Sequence, residues 1–374
     1  MPSYQDLATL ARDPQPRVLP AVWDFFPCHA GAVGGVPDFL RYYFDADEKL
    51  RLQLRLKELL PEALILPGVF ADFGVIVEVS AFGGRIQWFE QGAPFLSEVI
   101  RDAREIDTLR PPRPGLDGLM PLVLAQREAM RRKLKAQGVE MERWAMTMGP
   151  AEVAGLLMGY ERFYLTMYDD PRRLHALLRL VTDFLIAWLR KQHEAFGGIE
   201  ALCVADHVPN QVPPDALREF ILPCEQALFA EFPRAVRIYH NEGRHADAHI
   251  GMVLDFGADV WHFGSDVHAL PDLLAKVGDR MVLFGGLNPH GALRKGTPDA
   301  VRAETRAALA AASGRRLLLS SGTGTTPDTP LENLRAMAEA ASPRPSRGAP
   351  RLRPSGRSSR RATPPRRPPS PRPS

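Results

Sequence analysis

A histidine and a glutamate two positions apart, His240 and Glu242, are the residues of this sequence best suited to bind a metal ion. Residues two apart in an extended segment project to the same side, so the imidazole and the carboxylate can meet one ion. Without metal, His240 would act as a general acid or base, since the ordinary pKa of histidine is close to neutral, and Glu242 would orient it. Two ligands make only half of a metal site.

Polar residues also follow other short runs of β-branched and aromatic residues. They are Asp72, Asp206 with His207, Ser265 with Asp266, Asn288, and Ser320, Ser321 and Thr323. Side chains in such positions either contact a substrate or cap the next helix and bind turn backbone. We expect Asp206 deep in the site as a ligand or a charge-stabilising group, and Asn288 and Thr323 as hydrogen-bonding groups for a substrate.

Two further histidine patterns favour structural roles. His245 and His249 are four apart on a predicted helix, but the glutamate of the HExxH motif is absent, so the pair is more typical of a solvated helix face. His262 alternates with Trp261 and Phe263, which indicates a wall residue within a strand.

Short β-branched or aromatic runs alternate with amphipathic helical stretches, which is the pattern of parallel β/α units. The predicted strands are Val18–Phe25, Val69–Val79, Arg143–Met148, Ile199–Ala205, Val236–His240, Asp259–Phe263, Met281–Phe284 and Arg316–Leu319. Eight such units close a (β/α)8 barrel, whose active site is built by the loops after the strands. The sequence therefore predicts one α/β TIM barrel over residues 1–341, with an N-terminal extension and a helical insertion before the third strand.

Composition separates this predicted barrel from a basic end. Residues 342–374 contain ten Pro, ten Arg and seven Ser and no acid, which predicts a disordered tail, either solvated or a basic arm. Removing those ten arginines from 47 basic residues leaves 37 against 44 acidic ones, a formal charge of −7 that disfavours nucleic-acid binding. No apolar run approaches the roughly 20 residues of a membrane span, and the start MPSYQDLATLARDPQPR lacks the apolar core expected of a secretory signal. We expect a cytoplasmic enzyme with a small-molecule substrate and no membrane partner.

Several segments together resemble the uroporphyrinogen decarboxylase superfamily, which includes corrinoid-dependent methyltransferases that pass methyl groups to thiols. In family order they are PDFLRYYFDADEKL, VFADFGVIVEVSAFGGRIQW, MGPAEVAGLLMGYERFYLTMYDDPRRLHALL, VADHVPNQVPPDALREFILPCEQ, IYHNEGRH, LFGGLNPHGALRKGTPDAV and LLLSSGTGTTPDTPLENLRAMAEA. The resemblance covers nearly all of Val18 to Ala341 and implies a (β/α)8 barrel with its cleft at the carboxyl ends of the strands.

The decarboxylase branch is matched in part. Asp72, in FADFG, matches the family's aspartate that steadies a cationic intermediate. The family's Arg-rich opening loop is matched by FFPCHAGAVGG, which contains no arginine, and the family's histidine after the last strand is matched by Thr323. Because arginine binds carboxylates in a bidentate, permanently charged way, its absence disfavours an octa-anionic porphyrinogen substrate.

The methyltransferase branch is also matched in part. It holds zinc with a His-x-Cys pair after the fifth strand and a Cys after the eighth, and these positions correspond here to His240, Glu242 and Thr323. A carboxylate and a hydroxyl in place of two thiolates favour a harder divalent ion, a weaker zinc site or no metal.

Three functions stay open. The first is a methyltransferase-like enzyme with a His/Glu metal site, acting on a small methyl donor or thiol with a separate corrinoid protein. The second is a decarboxylase of a porphyrinogen-like or smaller acid, with Asp72 as the electrostatic group. The third is a barrel that binds a small ligand without catalysis. The absent arginines rank the first ahead of the second.

Overall fold

Eight parallel strands form the central sheet of the computed structural model, which describes residues 1–25, 30–33 and 38–342. They are β1 (Arg17–Trp23), β2 (Leu64–Leu66), β5 (Trp144–Met148), β6 (Ala201–Ala205), β7 (Val236–Asn241), β8 (Val260–Phe263), β9 (Val282–Leu287) and β10 (Arg316–Ser321). A separate antiparallel hairpin joins β3 (Ile86–Phe89) to β4 (Gly92–Leu96). The predicted α/β class is confirmed.

Helices connect these strands. In chain order they are α1 (Tyr4–Arg12), α2 (Ala30–Val33), α3 (Phe39–Phe44), α4 (Ala46–Leu59), α5 (Val77–Ser80), α6 (Met120–Ala136), α7 (Pro150–Met158), α8 (Tyr160–Asp169), α9 (Pro171–Phe196), α10 (Pro214–Ala216), α11 (Leu222–Ala230), α12 (Asp247–Val253), α13 (Leu270–Val277), α14 (Ala292–Lys295), α15 (Pro298–Ala311) and α16 (Leu331–Ala341). A π-helical turn over Leu217–Ile221 precedes α11. Asp170 followed by Pro171 is the sequence pattern of an N-cap residue with proline in the first helical turn, and α9 does begin at Pro171. The Asp170 side chain accepts a hydrogen bond from the backbone N–H of Arg173.

The strand order is β2-β1-β10-β9-β8-β7-β6-β5, which is the order of a curled sheet built from successive β/α units. Within the described residues no backbone ladder joins β2 to β5. Side chains meet inside the curl instead: the rings of Trp23 and Trp144 lie 5.9 Å apart between centroids, on β1 and β5. The sheet is therefore a half-barrel by hydrogen bonding, consistent with a TIM barrel.

An apolar layer fills the inner face of the sheet, and α1 covers the amino ends of the strands. Leu7 and Leu10 of α1 are buried in the same cluster as inward residues such as Ile238 and Leu318. The Arg316 guanidinium, at the start of β10, donates hydrogen bonds to the carbonyls of Leu10 and Ala11. Because α1 fills the amino ends of the strands with apolar side chains, the carboxyl ends are where the predicted polar site residues can lie.

One predicted strand is wrong. Val69–Val79 is not a strand: β2 lies earlier, at Leu64–Leu66, and Val77–Ser80 is helical. The run of valine and isoleucine suggested a strand, but every residue of α5 is buried, so this short helix shows no amphipathic alternation. Asp72 still follows the second strand of the sheet, in the loop after β2. The other seven strands are confirmed with shifts at their ends, and the predicted tail lies outside the described residues apart from Ser342.

Candidate metal centre

Three side chains converge at the carboxyl ends of β6 and β7. Nε2 of His207 lies 2.9 Å from Oε2 of Glu242, and Nε2 of His240 lies 3.1 Å from the same oxygen. One ligand atom from each residue falls within 4.8 Å of the others, which suits a single metal ion. His207 thus supplies the third group that the His240/Glu242 spacing lacked.

The strand register accounts for this convergence. Ala205 of β6 pairs with His240 of β7, so His207, two residues beyond the end of β6, lies beside the end of β7. The side chain of His240 is almost fully buried, whereas those of His207 and Glu242 are 30% and 39% exposed. The cluster is therefore held from the protein side and open on the other.

Hydrogen bonds on the far side of each imidazole set its orientation. Nδ1 of His207 lies 3.4 Å from Oε2 of Glu152, which also accepts a hydrogen bond from the backbone N–H of His207. Nδ1 of His240 lies 2.8 Å from Nδ1 of His262. An Nδ1–H donated outward leaves Nε2 with a free lone pair, the form in which neutral histidine binds a metal.

The charges at the cluster are strongly coupled. Burial alone would lower the pKa of His207, but hydrogen bonds to Glu152 and Glu242 raise it to about 10. Burial would raise the pKa of Glu242, but hydrogen bonds from His207 and then His240 hold it well below its ordinary value. His207 therefore holds its proton in the absence of metal, and a cation bound at its Nε2 would replace that proton.

Asp206 is fully buried and turned toward helix α7. Its Oδ2 accepts hydrogen bonds from the N–H groups of Ala151 and Glu152, and its Oδ1 accepts one from Val208. Burial and then Glu152 raise its pKa to about 7. This geometry makes Asp206 an anchor between β6 and α7, adjacent to His207, and its expected role as a ligand or charge-stabilising group stays a prediction.

Asp72 lies in the loop after β2. Its side chain is buried; Oδ1 accepts a hydrogen bond from the N–H of Gly74, and Oδ2 accepts one from the Tyr42 hydroxyl. Lys49 donates to the backbone carbonyl of Asp72 at 2.6 Å. These contacts hold the loop after β2 in place, so that Asp72 lines the cavity described below.

The other predicted site residues are placed at turns. Oδ1 of Asn288 accepts a hydrogen bond from the N–H of His290, and the Thr323 hydroxyl donates to the carbonyl of Gly324. Neither residue is among those that line the cavity in the described part of the chain, and their substrate role stays a prediction. His245 and His249 are both buried rather than on a solvated helix face, contrary to expectation. His245 precedes α12, and Nε2 of His249 contacts the carbonyl of Val212.

A cavity of about 280 Å³ adjoins His207 and His240. Its walls include Trp23, Trp144, Met148, Trp188 and Phe196, and its polar residues include Asp72, Glu78 and Arg127. Volumes near 300 Å³ lie at the small end for ligand sites. The candidate ligands His207, His240 and Glu242 and this largely apolar cavity together form the candidate site.

A family model described as uroporphyrinogen decarboxylase (URO-D) matches residues 16–343. The chain belongs to the uroporphyrinogen decarboxylase family. Family membership confirms the resemblance found in the sequence and indicates an enzyme, since the named relatives are decarboxylases and a methyltransferase.

Relatives of both kinds are similar to this family member. The uroporphyrinogen decarboxylase of Chromohalobacter salexigens is 28% identical over 366 residues, covering 91% of this chain and 97% of that protein. The methylated-thiol–coenzyme M methyltransferase of Methanosarcina mazei is 25% identical over 271 residues, covering 72% of this chain and 70% of that protein. A solved methyltransferase from Methanosarcina mazei superposes with a TM-score of 0.75 at 22% identity, covering 91% of this chain and 98% of that one, which shows a shared fold. Among the described helices, none is long and apolar enough to cross a membrane.

Proposed function

We propose that this protein is a metal-dependent methyltransferase that moves a methyl group between a small donor or a corrinoid on a separate protein and a thiol. The proposal rests chiefly on one observation: the Nε2 atoms of two histidines meet a single carboxylate oxygen of Glu242, at 2.9 and 3.1 Å. As part of the same proposal, the curled sheet closes as a (β/α)8 barrel whose mouth holds this cluster.

The donor set fits a divalent metal. Two imidazoles and one carboxylate form a three-residue set that leaves a coordination position open, as catalytic zinc sites do. Both imidazoles have a partner on Nδ1, which is the support that metal-binding histidines ordinarily have. A zinc ion held there would supply Lewis-acid chemistry that lowers the pKa of a thiol.

The residues of this chain would position and desolvate the reactants. His207, His240 and Glu242 would hold the ion, and the adjoining cavity would exclude water from the transferring methyl group. In the overall reaction the thiol loses its proton, an S–C bond forms, and the bond between the methyl group and its donor breaks. The methylated-thiol methyltransferase relative supports this class of reaction.

Decarboxylation of a small acid is the second candidate, and the placement of Asp72 favours it. Asp72 lines the cavity, where it could stabilise a developing positive charge on a substrate. Against a porphyrinogen, Arg127 is the only arginine among the described lining residues, and it is engaged with the carbonyl of Glu142. We therefore place methyl transfer first.

Metal content and methyl transfer test the proposal together. We expect purified full-length protein to hold about one equivalent of divalent metal by elemental analysis, and Glu242→Gln or His207→Gln to lose it. Glu219→Gln is the matched control, because Glu219 is an exposed residue that pairs with His175 and is not one of the three candidate ligands. Methylcobalamin and a simple thiol then serve as donor and acceptor.

The outcomes separate the candidates. Wild-type demethylation of methylcobalamin that is lost in Glu242→Gln and kept in Glu219→Gln supports methyl transfer. Metal-free protein with no thiol methylation, but with decarboxylation that Asp72→Asn abolishes, favours the second candidate. A protein that binds small molecules but performs neither reaction would be a ligand-binding barrel.

A further inference from the structure

A second cavity lies at the opposite end of the strands from the candidate metal ligands. It has a volume of about 740 Å³ and lies beside the start of α1, between β2 and the segment that leads into β5. No backbone ladder joins β2 to β5 among the described residues, so loops and helices supply much of its wall. The volume is within the usual range for small-molecule sites.

A buried cation in this wall has no anionic partner. Arg127 of α6 is 5% exposed, and its guanidinium lies 3.6 Å from the ring centroid of Phe196. Its Nη2 donates a hydrogen bond to the backbone carbonyl of Glu142 at 2.9 Å, and no described carboxylate forms an ion pair with it. Because removing a charge from water is costly, buried charges are ordinarily paired. Arg127 therefore lacks a counterion.

The other N–H groups of Arg127 are open to a ligand. Nε and Nη1 make no hydrogen bond with a described residue, yet neither nitrogen is among the fully enclosed polar atoms that lack a partner. These nitrogens therefore reach open space rather than packed side chains. A guanidinium whose flat face lies on Phe196 presents its edge, which is the part that binds the oxygens of a carboxylate or a phosphate.

The charged end of Arg127 belongs to the second cavity, although the side chain also lines the first one, beside His207. Glu142, whose carbonyl Arg127 binds, lines only the second cavity. Burial and then the nearby Arg131 lower the pKa of Arg127 to about 10, which leaves it charged at neutral pH. Arg131 also lines only the second cavity, so the surroundings of the guanidinium are those of that cavity.

The charges around the second cavity favour an anion. Four basic side chains line it against three acidic ones: Lys57, Arg127, Arg131 and Arg143, and Glu140, Glu142 and Glu200. Lys57, Arg131 and Arg143 each form an ion pair with a glutamate, so Arg127 is the lining cation left without an acid among the described residues. An anionic ligand would complete this set.

The first cavity is less suited to an anion. Asp72 and Glu78 line it, and the charge of His207 on the same wall is balanced by the carboxylates of Glu152 and Glu242. A metal ion bound at His207 would attract an anion as well, so a test has to separate the two cavities.

We infer that the second cavity is a further binding site, which takes a small organic oxyanion. The edge of the Arg127 guanidinium holds its carboxylate or phosphate group, and Leu64, Ile65 and Met141 of the lining pack against its apolar body. This site goes beyond the proposed function, because binding there requires neither a metal ion nor methyl transfer.

Three probes of similar size isolate the effect of charge. Benzoate, phenyl phosphate and the neutral benzamide are titrated into full-length protein by isothermal titration calorimetry at low ionic strength, where charges are least screened. The protein is first stripped of metal with a chelator, which is then dialysed away. We expect at least one anion to bind about tenfold or more tightly than benzamide. The tighter anion identifies carboxylic acids or phosphate esters as the source of the ligand.

Variants identify the groups responsible. Arg127→Met removes the charge and the N–H donors and should raise the Kd of the tighter anion by about tenfold or more, as loss of a charge-assisted hydrogen bond does. Arg127→Lys keeps the charge without the planar fork and should fall between. Arg131→Gln should raise the Kd by about two- to fourfold, because a partly exposed charge contributes less. Arg132→Gln is the matched control: Arg132 pairs with the same carboxylate, Glu128, but lines neither cavity, and the Kd should be unchanged.

A crystal structure with 4-bromobenzoate locates the ligand through the anomalous scattering of bromine, which we expect beside Ile65 and Met141. Three results would overturn the inference: benzamide binding as tightly as both anions, unchanged affinity in Arg127 variants that thermal unfolding shows to be folded, or bromine found only beside His207 and His240. If Arg127→Met does not fold, Arg127→Lys and the position of the bromine still decide.

Discussion

Nδ1 of His240 lies 2.8 Å from Nδ1 of His262, and this contact leaves Nε2 of His240 as the nitrogen that faces Glu242. Nε2 of His262 lies 3.4 Å from the carbonyl oxygen of Ser321. We therefore assign the ring proton of His262 to Nε2, where the Ser321 carbonyl can accept it. Nδ1 of His262 is then the acceptor for the N–H of His240. Burial and then the neighbouring His240 lower the pKa of His262, consistent with its neutral form. His262, expected to be a wall residue, also positions a proposed ligand.

Replacing His262 should therefore weaken metal binding without removing a ligand. We expect His262→Phe to raise the Kd for zinc by about 10- to 100-fold, the usual effect of losing a partner of a metal-binding histidine. Competition with a chromophoric chelator measures the affinity. His262→Gln, which can still accept a hydrogen bond, should recover part of it, and the exposed His290→Gln should match wild type. Equal affinity in His262→Phe and wild type would contradict this role.

Glu78 should make stability depend on pH. Burial raises its pKa to about 7 from an ordinary 4.5, so the native state holds this proton more tightly than the unfolded chain does. The favourable contribution of this tightly held proton to the free energy of unfolding is thus fully present below pH 4.5 and is lost as the pH rises to about 7. Glu78→Gln should consequently unfold with a free energy up to about 3 kcal/mol higher than wild type above pH 7, and the gain should shrink toward pH 5.

Urea unfolding at several pH values measures this difference. Glu90→Gln is the control, because Glu90 is an exposed residue of the β3–β4 hairpin, and its difference from wild type should stay flat with pH. A Glu78→Gln difference that is also independent of pH would show that this carboxyl titrates normally in the folded protein.

Gly149 is required by the close approach of α7 to Asp206. A Cβ added at Gly149 would lie 2.2 Å from the Cβ of Asp206, which is too close for any rotamer change to relieve. We expect Gly149→Ala to destabilise the protein by about 1–3 kcal/mol or more through overpacking, and to weaken metal binding by displacing His207. Gly251→Ala is the matched control: it meets nothing within 4 Å in helix α12 and should stabilise by up to about 1 kcal/mol. Equal unfolding midpoints for the two variants in urea would refute the steric explanation.

Residues 343–374 should contribute nothing to the stability of the domain that contains the eight-stranded sheet. Their arginine, proline and serine composition offers almost no apolar surface to bury. Deleting them should leave the melting temperature and the metal content unchanged. A clear fall in either would assign this basic segment a structural role.

Much of the architecture could be predicted because local patterns carry it. The cap at Asp170 with Pro171 marked the start of α9, and seven strands showed β-branched runs between turns. The three residues of β2 were too few to show a period, and α5, buried on all sides, resembled a strand. Where burial is uniform, the alternation that distinguishes helix from strand is absent.

Two of the three candidate ligands, His240 and Glu242, could be paired from the sequence, and the third could not. The spacing of His240 and Glu242 within β7 and its following loop placed both on one side, since strand geometry is local. The sequence does not indicate that His207, rather than Asp206, joins His240 and Glu242. That outcome depends on the backbone amides of Ala151 and Glu152, which bind the Asp206 carboxylate and hold it toward α7. The partners Glu152 and His262 come from other elements, and only the folded register brings them near.

Helix α1 also determines how this enzyme can be handled. It seals the amino ends of the strands with Leu7 and Leu10, whereas the candidate metal ligands lie at the carboxyl ends of β6 and β7. Met1 is exposed on that sealed side. An affinity tag, fluorophore or surface tether attached at Met1 would therefore leave the opposite entrance unobstructed, and immobilised protein should bind small ligands there as freely as protein in solution.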